Sequence, residues 1–213
     1  MDYPILYSFV RCPYAMRARM ALKLTEIKCE IREVRLNNKP KHMIDMSPKG
    51  TVPVLVLENN IIDESNEIID WALSFNNVFD GNLDEDQKDL TSRLIKIFDS
   101  KFKYNLDRYK YATRYENIDI NKHKMECLKI LINLEDFISK DEWFLGKRIN
   151  KLDISILPFI RQFRIADTDW FDKQNQITGI QQILDNFLNS KLYKDIMFKY
   201  DVWTENDMPQ FFP

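Results

Sequence analysis

Glycine is nearly missing from this chain. Only Gly50, Gly81, Gly146 and Gly179 occur in 213 residues, each isolated, where roughly 7% is usual. Neither G-x-G-x-x-G nor G-x-x-x-x-G-K-[ST] can be written with them, which excludes the glycine-rich phosphate cradles of nucleotide-binding proteins. Histidine is scarcer still. His42 and His123 stand far apart, without the paired spacing that holds zinc, so no metal is expected. The cysteines, Cys12, Cys29 and Cys127, are few and odd in number. That argues against a disulfide framework and for a reducing compartment, the cytoplasm. Long apolar runs are also lacking. Residues 52–57 and 154–160 are among the longest, far short of the ~20 residues a membrane helix needs. Met1, Asp2, Tyr3 and Pro4 form no basic or apolar leader, so no secretory signal is expected. The net charge of −2 supplies no global attraction to nucleic acid or anionic lipid.

What the chain does contain is ordinary for a globular protein: 45% hydrophobic and 30% charged residues. Its length suits one large domain or two small ones. Two periodicities divide it. Residues 1–75 mix short β-like runs (5–9, 29–36, 54–57, 61–62) with helical ones (14–24, 39–46, 67–75). The resulting order is β-α-β-α-β-β-α, an α/β arrangement with helices on the faces of a small mixed sheet. Asn59 and Asn60 mark the turn between the last two strands. Residues 76–84, polar and containing Gly81, read as a linker. From 85 onward apolar residues recur at helical spacing, as in Leu90, Leu94, Ile97 and Phe98, or Ile180, Ile183, Leu184 and Phe187. Residues 85–213 are therefore expected to form an all-helical domain ending in an irregular tail over 203–213.

The most informative stretch is Ser8-Phe9-Val10-Arg11-Cys12-Pro13-Tyr14-Ala15. Cys12 follows a strand and precedes Pro13, a residue favoured at the first helical position. Its sulfur is thus expected at a helix N-terminus, facing orphan N–H groups and the positive end of the dipole. Arg11, Arg17 and Arg19 add positive charge nearby. Such surroundings lower a thiol pKa from ~8.5 toward ~3.5–7.5 and supply a nucleophile without a histidine base. A buried, inert thiol is the usual state of a free cysteine, and that is the expectation for Cys29 and Cys127. Ala15 stands where a C-x-x-C pair would need its second cysteine, so any disulfide partner of Cys12 must come from outside. Two further stretches stand out. Ser47-Pro48-Lys49-Gly50-Thr51-Val52-Pro53 leads into a strand through an X–Pro bond that is either trans or cis. Asp63-Glu64-Ser65-Asn66-Glu67 opens a helix, with Ser65 a good N-cap. Residues 101–124 carry seven Lys/Arg against three Asp/Glu among four tyrosines. A solvated helical face accounts for this better than a nucleic-acid patch.

Taken in order, these motifs resemble the cytosolic glutathione S-transferases, and among them the cysteine-type members such as the omega class and related bacterial proteins. The resemblance rests on C-P-Y-A-x-R-A-R-x-A-L, L-N-N-K-P, S-P-K-G-T-V-P-V-L, E-S, and the segment from Leu152 to Phe163 with Asn150 and Asp153 laid out as a capping box. It implies a thioredoxin-like N-terminal domain followed by a helical bundle, and a homodimer. It implies glutathione as co-substrate, with Cys12 catalytic and forming a mixed disulfide. Lys39 would meet the glycyl carboxylate. Thr51, Val52 and a cis Pro53 would lie along the cysteinyl part, and Glu64 and Ser65 would hold the γ-glutamyl end. Phe9, Tyr14, Tyr104, Arg108 and Tyr111 are candidates for an electrophile pocket. Tyr7 and Ser8 offer the hydroxyls that other members use, but Cys12 takes the decisive position. The expected function is therefore glutathione-dependent thiol transfer or reduction of a small thiol, disulfide or electrophilic substrate. Conjugation of glutathione to electrophiles and a non-catalytic interaction role are the alternatives; no nucleic-acid or membrane partner is expected.

Overall fold

The computed structural model describes residues 3–79, 81–139 and 141–213. Met1 and Asp2 of the leader, and Asp80 of the linker, lie outside the described residues. The chain forms two compact units: Met1–Val78 together with Ser190–Pro213, and Phe79–Asn189.

The first unit is built on strands β1 (Ile5–Ser8), β2 (Cys29–Glu33), β3 (Val54–Val56), β4 (Ile61–Ile62) and β5 (Phe211–Phe212), ordered β4-β3-β1-β2-β5. β1 is parallel to β2, and the other pairings are antiparallel. Every residue of β1 is buried, as befits a central strand covered on both faces. Because strand side chains alternate between faces, Ile5 and Tyr7 share one side. There they join Val34, Met43, Val52, Val54, Val56 and Trp203 in one apolar cluster. Helices α1 (Pro13–Leu24), α2 (Lys41–Met46) and α3 (Ser65–Phe75) complete the expected β-α-β-α-β-β-α order. α1 is rich in Ala, Met, Leu and Arg, all strong helix formers, and it packs against α3.

Some local expectations shift. The β3–β4 reversal is closed by the Leu57 N–H on the Asn60 carbonyl, at 2.8 Å. It therefore turns at Glu58 and Asn59, one residue earlier than the asparagine pair, and neither has a positive φ. α2 starts at Lys41 rather than Lys39, because Pro40 holds an extended backbone at the N-cap. The larger correction is the tail. Residues 203–213 do not run as irregular chain throughout: β5 pairs with β2, placing Phe212 opposite Cys29. The Trp203 N–H also donates to the Glu33 carbonyl at 2.8 Å. Residues 190–213 thus belong with the first unit, not with the helices before them.

In the second unit, α4 (Glu85–Ile97) opens with a capping box between Asp84 and Gln87. A π-helical turn, Phe98–Phe102, leads into α5 (Lys103–Lys110), followed by α6 (Ile120–Glu135), α7 (Lys151–Arg164), α8 (Thr168–Asp172) and α9 (Thr178–Asn189). α7 is the buried centre, and its start follows the capping box expected from sequence. The Leu152 N–H donates to Asn150, and the Asn150 N–H donates to Asp153 at 2.8 Å. α10 (Lys191–Ile196) then returns the chain to the first unit, packing on α1, where Lys23 pairs with Asp195 at 3.2 Å.

Candidate active site

Cys12 is the N-cap of α1, in extended conformation, with Pro13 as the first helical residue. Proline has no N–H, so the first backbone N–H groups of the helix after Cys12 are those of Tyr14 and Ala15. The thiol is partly buried and rests on the apolar cluster beside Phe9 and Met46. Its Sγ lies 3.5 Å from the Val52 carbonyl oxygen, to which it donates. The Val52–Pro53 bond is cis, and Val52 and Pro53 are buried while Thr51 is exposed. Cys12, Val52 and Pro53 therefore converge, although forty positions separate the thiol from the loop in sequence.

Of Arg11, Arg17 and Arg19, only Arg11 is exposed, its guanidinium over the Phe9 ring at 5.3 Å. Arg17 and Arg19 are fully buried. Arg19 donates to the Ser8 hydroxyl and, at 2.7 Å, to the Val10 carbonyl. Burial lowers Arg19 to about 10, against the pull of Glu33, Cys12 and Tyr200. Glu33 accepts from the Val10 N–H at 2.7 Å, and its carboxyl is raised by burial. Val10 thus bonds a buried cation through its carbonyl and a carboxylate through its N–H, a feature that sequence reading missed. Glu33 sits in a strand with no neighbouring motif, and only β1–β2 pairing brings it to the loop. Arg17 reaches the Ser65 hydroxyl at 3.3 Å, tying α1 to the start of α3.

At α3 the N-cap is Glu64, not Ser65, which is the first helical residue and buried. The Ser65 hydroxyl is occupied by Arg17, so it does not cap the helix. Lys49 bridges Asp63 at 2.9 Å and Glu64 at 2.6 Å. Asp63 also accepts from Ser47 at 2.8 Å, and with Lys49 beside it the carboxyl lies below its usual range. Gly50 adopts φ +60, and a Cβ there would meet Ile44 Cδ1 at 3.2 Å. Glycine is thus required at the turn before Thr51. The Lys39 ammonium borders the same turn, 4.0 Å from where a Cβ on Gly50 would stand. Tyr7 and Ser8 are committed elsewhere. The buried Tyr7 hydroxyl meets His42 Nδ1 at 2.5 Å and accepts from Arg32 at 2.7 Å, and burial raises its pKa.

A model of the glutathione S-transferase N-terminal domain matches residues 6–76. The rat glutathione S-transferase omega-1 is 27% identical over 209 residues, spanning 92% of this chain and 85% of its own. A probable glutathione S-transferase, parA, of Nicotiana tabacum is 26% identical over 166 residues, or 77% and 74% of the two chains. A glutathione transferase family member of Pseudomonas fluorescens, solved with two glutathione molecules bound, superposes with a TM-score of 0.79 at 14% identity. It covers 92% of both chains. Residues 6–76 therefore match a glutathione S-transferase N-terminal domain, and the described chain shares the fold of solved glutathione transferases.

The chain has the thioredoxin-like and helical parts that the sequence resemblance implied. The pocket candidates divide between its two units. Phe9 packs beside Cys12, and Tyr14 lies under the Arg17 guanidinium at 5.4 Å. Tyr104, Arg108 and Tyr111 belong to the second unit, in and just after α5. There Arg108 stacks on Tyr104 at 3.4 Å and on Tyr115 at 4.7 Å, while Arg114 covers Tyr111 at 4.3 Å. Among the described residues no cluster of three or more His, Cys, Asp or Glu is placed to hold a metal ion. No helix there is long and apolar enough to cross a membrane.

Proposed function

We propose that this chain is a member of the glutathione S-transferase family and acts as a glutathione-dependent thiol transferase of the omega-like, cysteine-using kind. The observation that carries this reading is the placement of Cys12: an accessible thiol at the N-terminus of α1, 3.5 Å from the backbone of the residue before a cis proline. The Cys12 thiolate attacks the glutathionyl sulfur of a mixed disulfide, and the departing thiolate takes a proton from water. The sulfur–sulfur bond now joins Cys12 to glutathione. A second glutathione thiolate attacks that bond, giving glutathione disulfide and the free Cys12 thiolate. Ala15 at the fourth position of the motif and the burial of Cys29 and Cys127 favour an external thiol as the resolving group.

In this reading Val52 pairs its backbone with the cysteinyl part, flanked by Thr51 and Pro53. Ser65 and Glu64 hold the γ-glutamyl end at the start of α3, with Glu64 exchanging Lys49 for the incoming ammonium. Lys39 meets the glycyl carboxylate. Phe9 and Tyr14, in the first unit with Cys12, are proposed to meet the second substrate. The chain is proposed to act as a homodimer in the cytoplasm. Glutathione-bound relatives support the co-substrate: one of Pseudomonas fluorescens carries glutathione, and one of Pseudomonas putida carries glutathione disulfide.

The test is reduction of a glutathionylated disulfide by wild type and Cys12→Ser, with intact-mass analysis. A glutathione adduct on Cys12 and a loss of at least ~100-fold in the variant are expected, on the scale of losing a covalent nucleophile. An unmodified Cys12 with undiminished activity in the variant overturns the proposal. Conjugation of an electrophile that survives in Cys12→Ser assigns the site to conjugation instead.

A further inference from the structure

Between β1 and α1 the chain makes one tight reversal, closed by the Cys12 N–H on the Phe9 carbonyl at 2.9 Å. On the far side of Cys12 the helix begins, with the Met16 N–H on the Cys12 carbonyl at 2.9 Å. Val10 lies inside the reversal, and both peptide planes beside it are held from outside. Its N–H donates to Glu33 Oε1 at 2.7 Å, and its carbonyl accepts from Arg19 at 2.7 Å. Both are charge-assisted hydrogen bonds, the stronger kind, and both side chains are buried. Neither peptide can rotate without breaking one of them. Arg19 also donates to the Ser8 hydroxyl, and the Ser8 carbonyl accepts the Val34 N–H at 2.9 Å.

Glu33 is itself fixed along its length. Its main chain ends β2 opposite Ser8, and its carbonyl accepts the Trp203 N–H from the tail at 2.8 Å. Its carboxylate is drawn to Arg19 against the burial that raises its pKa, and Arg19 in turn feels Cys12. Taking a carboxylate out of water is costly. Val10 is only half-buried, so water would satisfy its N–H without that cost. What a buried, doubly anchored carboxylate adds is a fixed geometry. We propose that Glu33 is a positioning residue for Cys12: through the Val10 N–H it holds the Phe9–Cys12 turn in the form that presents the sulfur to the start of α1. The consequence for catalysis rests on the thiol-transfer reading above; the positioning itself does not.

The test sets charge without reach against reach without charge. Glu33→Asp keeps the carboxylate but ends one methylene short of Val10. Glu33→Gln keeps the length and an acceptor oxygen but loses the charge. The full chain is alkylated with iodoacetamide at pH 7.5 and the Cys12 rate is followed by peptide mapping, a readout that needs no glutathione. A rate about five-fold lower is expected in Glu33→Asp, the size of one net hydrogen bond, and a rate within about two-fold of wild type in Glu33→Gln. A role of charge alone predicts the reverse: Glu33→Asp unchanged and Glu33→Gln faster, because a negative charge near the thiolate is gone. That order overturns the proposal, and so do equal losses in both variants. Cys29 and Cys127, buried in the folded chain, report on the fold. If either becomes reactive in either variant, Glu33 serves stability alone and the proposal also falls. Reduction of the glutathionylated disulfide should follow the Cys12 rate across the set. Alkylation in the expected order with unaltered reduction keeps Glu33 as the positioning residue and removes the thiol-transfer reading instead.

Discussion

Three cysteines of one chain differ here only in what surrounds them. Cys12 is partly exposed at a helix start. Cys29 lies in β2 opposite Phe212, where burial pushes its thiol up to about 12. Cys127 lies in α6 against the Phe102 carbonyl at 3.7 Å, and burial raises its pKa strongly. Since only a thiolate alkylates readily, iodoacetamide at pH 7.5 should label Cys12 alone in the folded protein. Cys29 and Cys127 should react only after denaturation in urea. Peptide mapping by mass spectrometry checks this; native labelling of either buried cysteine at a rate comparable to Cys12 contradicts it. Sequence singled out Cys12 because the Cys-Pro step at a strand end is a local signal. It missed Glu33 on the Val10 N–H, because a strand residue acquires its neighbours only when the sheet forms.

Helix starts decide much at the scale of elements. The α7 capping box is wholly buried, and Asp153 accepts the N–H groups of Asn150 at 2.8 Å and Phe144 at 2.9 Å. Asp153→Ala strands both donors. At roughly 1–3 kcal/mol for each buried unsatisfied group, a loss of about 3 kcal/mol is expected in urea unfolding. Asp84→Ala at the exposed α4 cap should cost nearer ~1 kcal/mol. Equal effects of the two substitutions would refute the distinction. The same residue sets a pH dependence. Burial pushes Asp153 up to about 7, over the opposing pull of its backbone donors. Between the unfolded carboxylate value of ~3.9 and about 7, the folded state holds a proton that the unfolded state has released. This group's contribution to stability is therefore complete below pH ~4 and is lost as pH rises through 7. Asp63, Asp172 and Asp195 are all lowered by cationic partners and titrate below that window. Thermal melts from pH 5 to 8 should show a decline in wild type that flattens in Asp153→Asn; parallel profiles would rule the assignment out.

For the whole molecule, the outcome least visible in the sequence is the return of the tail. Phe212 is 1% exposed in β5, while Met208 in the same tail is 85% exposed. Phe212→Ala removes a buried aromatic side chain from the sheet edge and should cost ~3–5 kcal/mol. Met208→Ala should leave the urea midpoint of the first unit unchanged. An unaffected midpoint in Phe212→Ala would mean that β5 adds nothing to the sheet. The tail also supplies Trp203 to the apolar cluster that carries Tyr7 and on which Cys12 rests.

The order of elements from β1 to α3, the helical character of the later chain, the α7 capping box and the place of Cys12 were determined by the sequence itself. Each depends on residues a few positions apart, where period, cap and proline preferences act. Tertiary structure alone decided that the tail closes the sheet beside β2, that Arg19 and Glu33 both bond the Val10 backbone before Cys12, and that Lys49 occupies Glu64 at the head of α3. Those contacts join residues distant in the chain. Their energies exist only once strands have paired and buried charges have found partners, and no local pattern records which partner each will find.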